Sequence, residues 1–235
     1  MALYRSWVSL LKGCSPMPRR RKPSGRRARL GEPRSSRDLS RRPGRKQPRR
    51  RLVIVCEGAE TEPRYFHALR QKYRLSTLTV QVVARKGSPK SVVAEAIKQQ
   101  GDLDDSRDVV WCVFDVESRA NNPSFGQAVN RAKGKDLKLA VSNPAFEYWY
   151  ILHFECTDGP FQDAADAVRK LADHLPGYSK AASVFKELEP RMPQALHNAE
   201  SLRNRAYESW DHFPNPSTGV DQLVREICHL ADQGT

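Results

Sequence analysis

The chain has 235 residues and a formal net charge of +13, and this charge is concentrated near the N-terminus. Residues 18–51 contain 16 Arg and Lys against Glu32 and Asp38, a net charge of +14, whereas residues 52–235 have a net charge of −3. The length suits one domain, or one domain with a helical extension. Without a run of 18 apolar residues or a convincing signal-peptide cleavage site, the sequence argues against a membrane protein and predicts a cytoplasmic one.

Residues 1–51 are predicted to form a disordered, arginine-rich tail. Between residues 18 and 51 apolar side chains are so few that folding could not offset the entropy of ordering the segment. Met17 opens the basic part, and a chain that starts there is an alternative. Such a charge favours polyanions, and we predict RNA or DNA rather than a membrane surface as the partner. The alternative is a solubilising tail with no defined target.

Strands alternate with helices from residue 52 to residue 142, and short apolar runs bounded by turn residues mark the strands. The predicted order is strand 52–56, helix from Thr61 with Pro63 in its first turn, strand 78–84, helix from Ser88, strand 109–115, helix 124–133 and strand 137–141. This order predicts an α/β core with a mainly parallel, four-stranded sheet flanked by helices.

Residues 143–235 are predicted to be a helical C-terminal part that packs on the core. Asn143 and Pro144 are expected to form the cap and first turn of a helix that carries an aromatic stripe. Further helices are predicted near 161–174, 180–189, 193–209 and 219–231. For the last of these, Thr218 is the expected cap, and Asp221 can reach back toward it.

Cysteine usage argues against a metal or disulfide framework. The five cysteines are an odd number and include no C-x-x-C pair. Cys56 and Cys112 lie in predicted buried strands, where a free thiol behaves as a small apolar residue. We therefore expect neither a zinc site nor a set of disulfides.

Acidic residues follow two of the predicted strands, and they are the main candidates for chemistry. Glu57 follows the first strand, and Asp115 and Glu117 follow the third. Ligand crevices of open α/β sheets lie at the carboxyl ends of the strands, and residues two apart on a strand point the same way. Clustered carboxylates repel unless a cation holds them, which predicts a site for Mg²⁺ or Mn²⁺. The plainer interpretation is a Glu-Gly turn and acids that cap helices.

Four further residues are candidates, each with a structural alternative. Glu62 is a further metal ligand, or a first-turn Glu favoured by the helix dipole. Glu147 is an acid within an aromatic helix, and it either belongs to the site or is there without a function. His153 orients a phosphate or shuttles a proton, unless it is a hydrogen-bonded core residue. Lys180 contacts phosphate, or is a solvated lysine at a helix start.

The chain resembles the RloB-like family of bacterial defence and restriction-linked proteins. A Glu-Gly after the first strand and an acid-x-acid after the third are similar to the TOPRIM fold of primases, topoisomerases and OLD-type nucleases. One departure is Asp115-Val116-Glu117, where the family usually has Asp-x-Asp. The matching segments are Cys56-Glu57-Gly58 with Thr61-Glu62 and Tyr65-Phe66, Phe114 to Glu117, Ser142 to Glu147 with Trp149 and His153-Phe154, Tyr178 with Lys180, and Asn215 to Thr218.

This resemblance implies a TOPRIM-like nuclease that depends on Mg²⁺ or Mn²⁺ and acts in phage defence, often encoded beside an ATPase partner. Glu57 would be the general base or a metal ligand, and Asp115 and Glu117 would bind the ion. The alternative is a nucleic-acid-binding or regulatory subunit without catalysis, whose metal site is vestigial. Whether RNA or DNA is the substrate, how many ions bind and which oligomer forms are left open by the sequence.

Overall fold

The computed structural model describes residues 50–76, 79–85, 87–103, 106–116, 124–206 and 213–233. The predicted tail lies outside the described residues except for Arg50 and Arg51. Glu117 and the Asn-Asn-Pro loop after it also lie outside them. Residues 47–235 form one compact unit, so the α/β part and the helical part belong to the same body.

Five strands form one sheet. They are β1 Leu52–Cys56, β2 Val80–Ala84, β3 Val109–Asp115, β4 Lys138–Asn143 and β5 Ser217–Thr218. Their spatial order is β2, β1, β3, β4, β5; the first four are parallel, and β5 is antiparallel to β4. The predicted α/β class and mainly parallel sheet are confirmed, but the predicted number of four strands is wrong. Ser217 and Thr218 lack an apolar pattern, and only their pairing with the end of β4 makes them a strand.

Eight helices accompany the sheet in the described residues. They are α1 Thr61–Lys72, α2 Pro89–Gly101, α3 Phe125–Lys133, α4 Glu147–Ile151, α5 Ala164–Ala172, α6 Phe185–Leu188, α7 Met192–Ala206 and α8 Val220–Gln233, with a 3₁₀ turn at Glu189–Arg191. None of the helices in the described part of the chain is long and apolar enough to cross a membrane.

The sheet is covered on both faces, which explains why its central strands are apolar at successive positions. All five residues of β1 are buried. Leu52, Ile54 and Cys56 face one core, which also contains buried residues of α1, α4, α5, α7 and α8. Val53 and Val55 face the other core, which contains buried residues of α2 and α3. Side chains alternate along a strand, so a strand buried on both faces needs apolar residues throughout.

One predicted helix start and one predicted capping contact in the C-terminal part are wrong. Strand β4 continues through Asn143, the Asn143–Pro144 peptide bond is cis, and α4 begins only at Glu147. Thr218 does accept a hydrogen bond from the backbone N–H of Val220 at 3.2 Å. Asp221, however, is buried and forms an ion pair with Arg203 of α7 instead of reaching back to the cap. Both differences arise from contacts distant in sequence, which local patterns do not contain.

Candidate active site

Glu57 and Asp115 lie side by side at the carboxyl ends of β1 and β3. Cys56, the last residue of β1, is in register with Val113. The backbone N–H of Glu57 donates to the carbonyl oxygen of Val113 at 2.9 Å, which continues the parallel pairing past the end of β1. The Oε2 atom of Glu57 accepts a hydrogen bond from the backbone N–H of Asp115 at 3.2 Å. The parallel register therefore brings these two predicted site residues together.

Glu62 folds back from the first turn of α1 onto the same loop. Its Oε1 atom accepts a hydrogen bond from the backbone N–H of Gly58 at 3.1 Å. A Cβ atom on residue 58 would lie 2.0 Å from Oε2 of Glu62, far inside any contact distance. Gly58 does not have a positive φ, so the glycine leaves space for the Glu62 carboxylate and does not serve a left-handed turn. The Glu-Gly pair thus leaves room for a second carboxylate.

Asp115 is partly buried, and one of its carboxylate oxygens, Oδ1, is buried without a hydrogen-bond partner among the described residues. Burial raises the pKa of Asp115 well above its ordinary value of 3.8, and the charges of Glu62, Glu147 and Glu57 raise it further. A hydrogen bond with the backbone of Phe146 acts in the opposite direction and lowers the pKa. An acid in this position favours either a proton or a cation.

Glu147 and Glu62 complete a group of acids with low exposure around Asp115. Their exposed fractions are 2 % and 5 %. Burial raises the pKa of Glu62, and the charge of Glu147 raises it further. Hydrogen bonds with its own backbone N–H and with that of Gly58 lower the pKa, as does the charge of Lys180. The structure thus brings Glu147 of α4 close to Asp115 and to Glu62 of α1.

The chemistry of these donors fits a hard divalent cation, which prefers carboxylate oxygens. The Oδ1 atom of Asp115 is such a carboxylate oxygen, and it has no hydrogen-bond partner among the described residues. Among the described residues, however, no three His, Cys, Asp or Glu side chains form a group that could hold a metal ion. Glu117, the third predicted ligand, lies outside the described residues.

His153 and Lys180 differ in their relation to the acids. His153 is buried beside Trp149, with its Nδ1 atom 2.9 Å from the Trp149 carbonyl oxygen. Burial lowers the pKa of His153 to about 4, and no contact joins it to a described acid. Lys180 is exposed, its carbonyl oxygen is 3.4 Å from Oγ1 of Thr61, and its charge reaches Glu62. His153 therefore has the surroundings of a core residue, whereas Lys180 flanks the acids.

One residue of the site has a role that sequence reasoning missed. The hydroxyl group of Tyr178 donates a hydrogen bond to Oε1 of Glu147 at 3.1 Å. The two residues are 31 positions apart, so no local spacing connects them. The Gly177-Tyr178 pair before Lys180 marks a turn in the sequence, but it does not indicate what the tyrosine contacts.

The chain belongs to the RloB-like family, because the family model described as RloB-like protein matches residues 52–227. The match begins at the first residue of β1 and ends within α8, so it includes every acid described above. The resemblance drawn from the sequence motifs is confirmed at this level. No curated protein and no solved structure shows significant similarity to the chain.

Proposed function

We propose that this protein is a TOPRIM-like, metal-dependent nuclease that cleaves phosphodiester bonds of RNA or DNA. The observation that supports the proposal best is the buried, unpaired Oδ1 atom of Asp115 at the carboxyl edge of a parallel sheet. Glu57 and Glu62 are tied to the same edge through backbone N–H groups of Asp115 and Gly58. Acids grouped at one site repel one another, and binding of a divalent ion would relieve this repulsion.

In this proposal Asp115 and Glu57 hold Mg²⁺ or Mn²⁺ together with Glu117 and Glu62. The described acids do not by themselves converge into a group of three, so their side chains would have to turn toward the ion. When bound, the ion polarises the phosphodiester and lowers the pKa of an attacking water. Glu147 lies close enough to raise the pKa of Asp115, and it supplies a further acid beside the ion. Lys180 is exposed next to Glu62 and contacts a phosphate of the substrate. His153 has no part in this assignment, because it is buried beside Trp149.

The biological setting is a second part of the proposal and rests on family membership. RloB-like proteins resemble restriction-linked defence proteins, so we propose that this chain is an effector of bacterial antiphage defence with an ATPase partner. Co-purification from cells that express the chain with the product of a neighbouring ATPase gene tests this part. Two proteins that elute separately under all nucleotide conditions would contradict it.

The nuclease assignment is tested by incubating the full chain with tRNA, single-stranded RNA, plasmid and single-stranded DNA. Each substrate is given Mg²⁺, Mn²⁺ or EDTA. We expect cleavage with metal only, and a loss of about 100-fold or more in Asp115→Asn and Glu57→Gln. Glu187→Gln is the matched control, because Glu187 is an exposed acid on α6. Cleavage that persists unchanged in Asp115→Asn would overturn the assigned site.

A subunit that binds nucleic acid without cleaving it is the second candidate. Two hydrogen bonds favour this alternative, because they already occupy a carboxylate oxygen of Glu62 and one of Glu147. The donors are the backbone N–H of Gly58 and the hydroxyl group of Tyr178. In that case the acids stabilise loops, and the metal site is vestigial. This alternative predicts binding of nucleic acid without turnover, and no change in the unfolding temperature on addition of Mn²⁺.

A further inference from the structure

We propose that Tyr178 is a positioning residue that holds the carboxylate of Glu147 toward Asp115. The hydroxyl group of Tyr178 donates to Oε1 of Glu147 at 3.1 Å, and Glu147 is almost fully buried. The inference deepens the proposed function and rests on it where metal binding is concerned. The position of the Glu147 side chain, by contrast, can be tested without metal.

The segment that carries Tyr178 is fixed to both helices that bear acids. Gly177 has a φ of +77°, a conformation that suits glycine and turns the chain toward the site. The carbonyl oxygen of Lys180 accepts a hydrogen bond from Oγ1 of Thr61, in the first turn of α1, at 3.4 Å. The ring of Tyr178 packs edge-on against Tyr150 of α4, with ring centres 6.1 Å apart. The tyrosine hydroxyl is therefore held in place from two sides.

Glu147 needs such a donor because its surroundings push it away from the site. The charge of Glu147 raises the pKa of both Asp115 and Glu62, so the three carboxyl groups interact unfavourably when ionised. A carboxylate among like charges rotates away unless a hydrogen bond holds it. The phenolic hydroxyl is a neutral donor, so it fixes Oε1 without cancelling the negative charge. A lysine or arginine at residue 178 would hold the carboxylate and also compete with a bound cation.

The first test compares two tyrosine-to-phenylalanine variants of the full chain by thermal unfolding at a series of Mn²⁺ concentrations. Tyr178→Phe keeps the ring and removes the hydroxyl group that donates to Glu147 and that also interacts with the Thr61 side chain. Tyr148→Phe is the matched control, because the hydroxyl of Tyr148 donates to the carbonyl oxygen of Thr157 at 2.8 Å, away from the acids. In the proposed site Glu147 is an acid beside the ion and not one of its ligands, and loss of groups that support a metal site from outside its ligand set typically weakens metal binding 10- to 100-fold.

We expect Tyr178→Phe to require about 10-fold more Mn²⁺ than the wild type for the same increase in unfolding temperature. Tyr148→Phe should keep the wild-type Mn²⁺ dependence, even if its metal-free stability falls by as much as that of Tyr178→Phe. A merely structural role of Tyr178 would lower metal-free stability and leave the Mn²⁺ dependence unchanged. That result would overturn the proposal.

The second test needs no metal and follows the ¹³C signal of the Glu147 side-chain carboxyl group. Glutamate labelled at this carbon gives the spectrum, and the loss of one signal in Glu147→Gln identifies it. We expect the signal to shift in Tyr178→Phe and to stay in place in Tyr148→Phe. An unmoved signal in Tyr178→Phe overturns the positioning role. A wild type that neither binds Mn²⁺ nor cleaves, but shows the expected shift, contradicts the proposed function while the positioning role stands.

Discussion

At the scale of single residues, the space beside Gly58 decides where the Glu62 carboxylate lies. We predict that Gly58→Ala displaces this carboxylate, because a Cβ atom would lie 2.0 Å from Oε2 of Glu62. The end of a flexible side chain can move at little cost, so stability should change by about 1 kcal/mol or less. The increase in unfolding temperature caused by Mn²⁺ should shrink, since one proposed ligand has left.

The matched control for this variant is Gly126→Ala. Gly126 lies near the start of α3, where an added Cβ atom meets nothing within 4 Å. Alanine in a helix is more stable than glycine by about 0.5–1 kcal/mol, so this variant should be slightly stabilised. Its response to Mn²⁺ should equal that of the wild type. An equal loss of the Mn²⁺ response in both variants would mean that Gly58 has no special relation to the site.

Asp115 also makes stability depend on pH in a direction that can be worked out. Its raised pKa means that the folded protein keeps a proton to higher pH than the unfolded chain. Over that interval the folded state binds more protons, so stability falls as pH rises above about 4. His153 acts in the opposite direction, because its pKa is lowered from 6.5 to about 4.

The contribution of Asp115 is therefore isolated by comparison with Asp115→Asn. Without metal, the unfolding temperature of the wild type should fall relative to that of Asp115→Asn as the pH rises above about 4. Mn²⁺ should reverse the difference, because the ion favours the ionised carboxylate. Parallel pH curves for the two proteins would contradict the raised pKa.

At the scale of secondary-structure elements, an ion pair between a partly exposed arginine and a fully buried aspartate joins α7 and α8. Asp221 of α8 is fully buried and pairs with Arg203 of α7, and its Oδ2 atom lies 3.9 Å from Nε of Arg225. We predict that Arg203→Ala lowers the free energy of unfolding by about 2–3 kcal/mol, because it leaves a buried carboxylate with a poorer partner. Urea unfolding measures this value.

The neighbouring Arg205 provides a comparison on the same helix. Its ion pair with Asp158 is exposed on both sides, with exposed side-chain fractions of 56 % and 73 %. Exposed pairs contribute about 0–1 kcal/mol, so Arg205→Ala should cost much less than Arg203→Ala. Adding Asp221→Asn to Arg203→Ala should recover part of the loss, since the unpaired charge is removed. Equal costs for both arginines would show that the pair with the buried Asp221 contributes nothing special.

At the scale of the whole molecule, Arg50 and Arg51 lie at the start of the folded body, before β1. Arg51 precedes β1, and its backbone N–H donates to Oδ1 of Asp108 at 2.7 Å. Arg50 forms an ion pair with Glu226, which also accepts hydrogen bonds from Trp111 and Lys138. These two arginines therefore belong to the folded body, and a deletion that tests the tail should spare them.

We predict that deletion of residues 18–49 weakens nucleic-acid binding and flattens its salt dependence. The deleted segment has 14 basic residues against two acidic ones, a net charge of +12. Each lost phosphate contact lowers the slope of log K against log salt by about 1. Fluorescence anisotropy with labelled single-stranded RNA and DNA measures both quantities, and thermal unfolding controls for the folded body. Unchanged affinity and slope would rule out an electrostatic role for the tail.

The sequence by itself determined the class of fold and the family. Buried strands in a parallel sheet are continuous apolar runs, and this pattern located β1 and β3 at the bounds that the structure has. Acids directly after these strands had to meet at one edge, because parallel strands end on the same side. Both inferences depend only on local composition and on strand direction.

Only the tertiary structure decided which further residues contact the acids at the end of the sheet. Glu147 and Tyr178 are 31 residues apart, and β5 becomes a strand only through its pairing with Ser142 and Asn143. Asp221 has the spacing of a cap, yet it pairs with Arg203, which is 18 residues away. Such contacts depend on the packing of whole helices against the sheet. Hydrophobic periodicity and capping motifs describe one helix or strand at a time, so they do not indicate which distant residues come into contact.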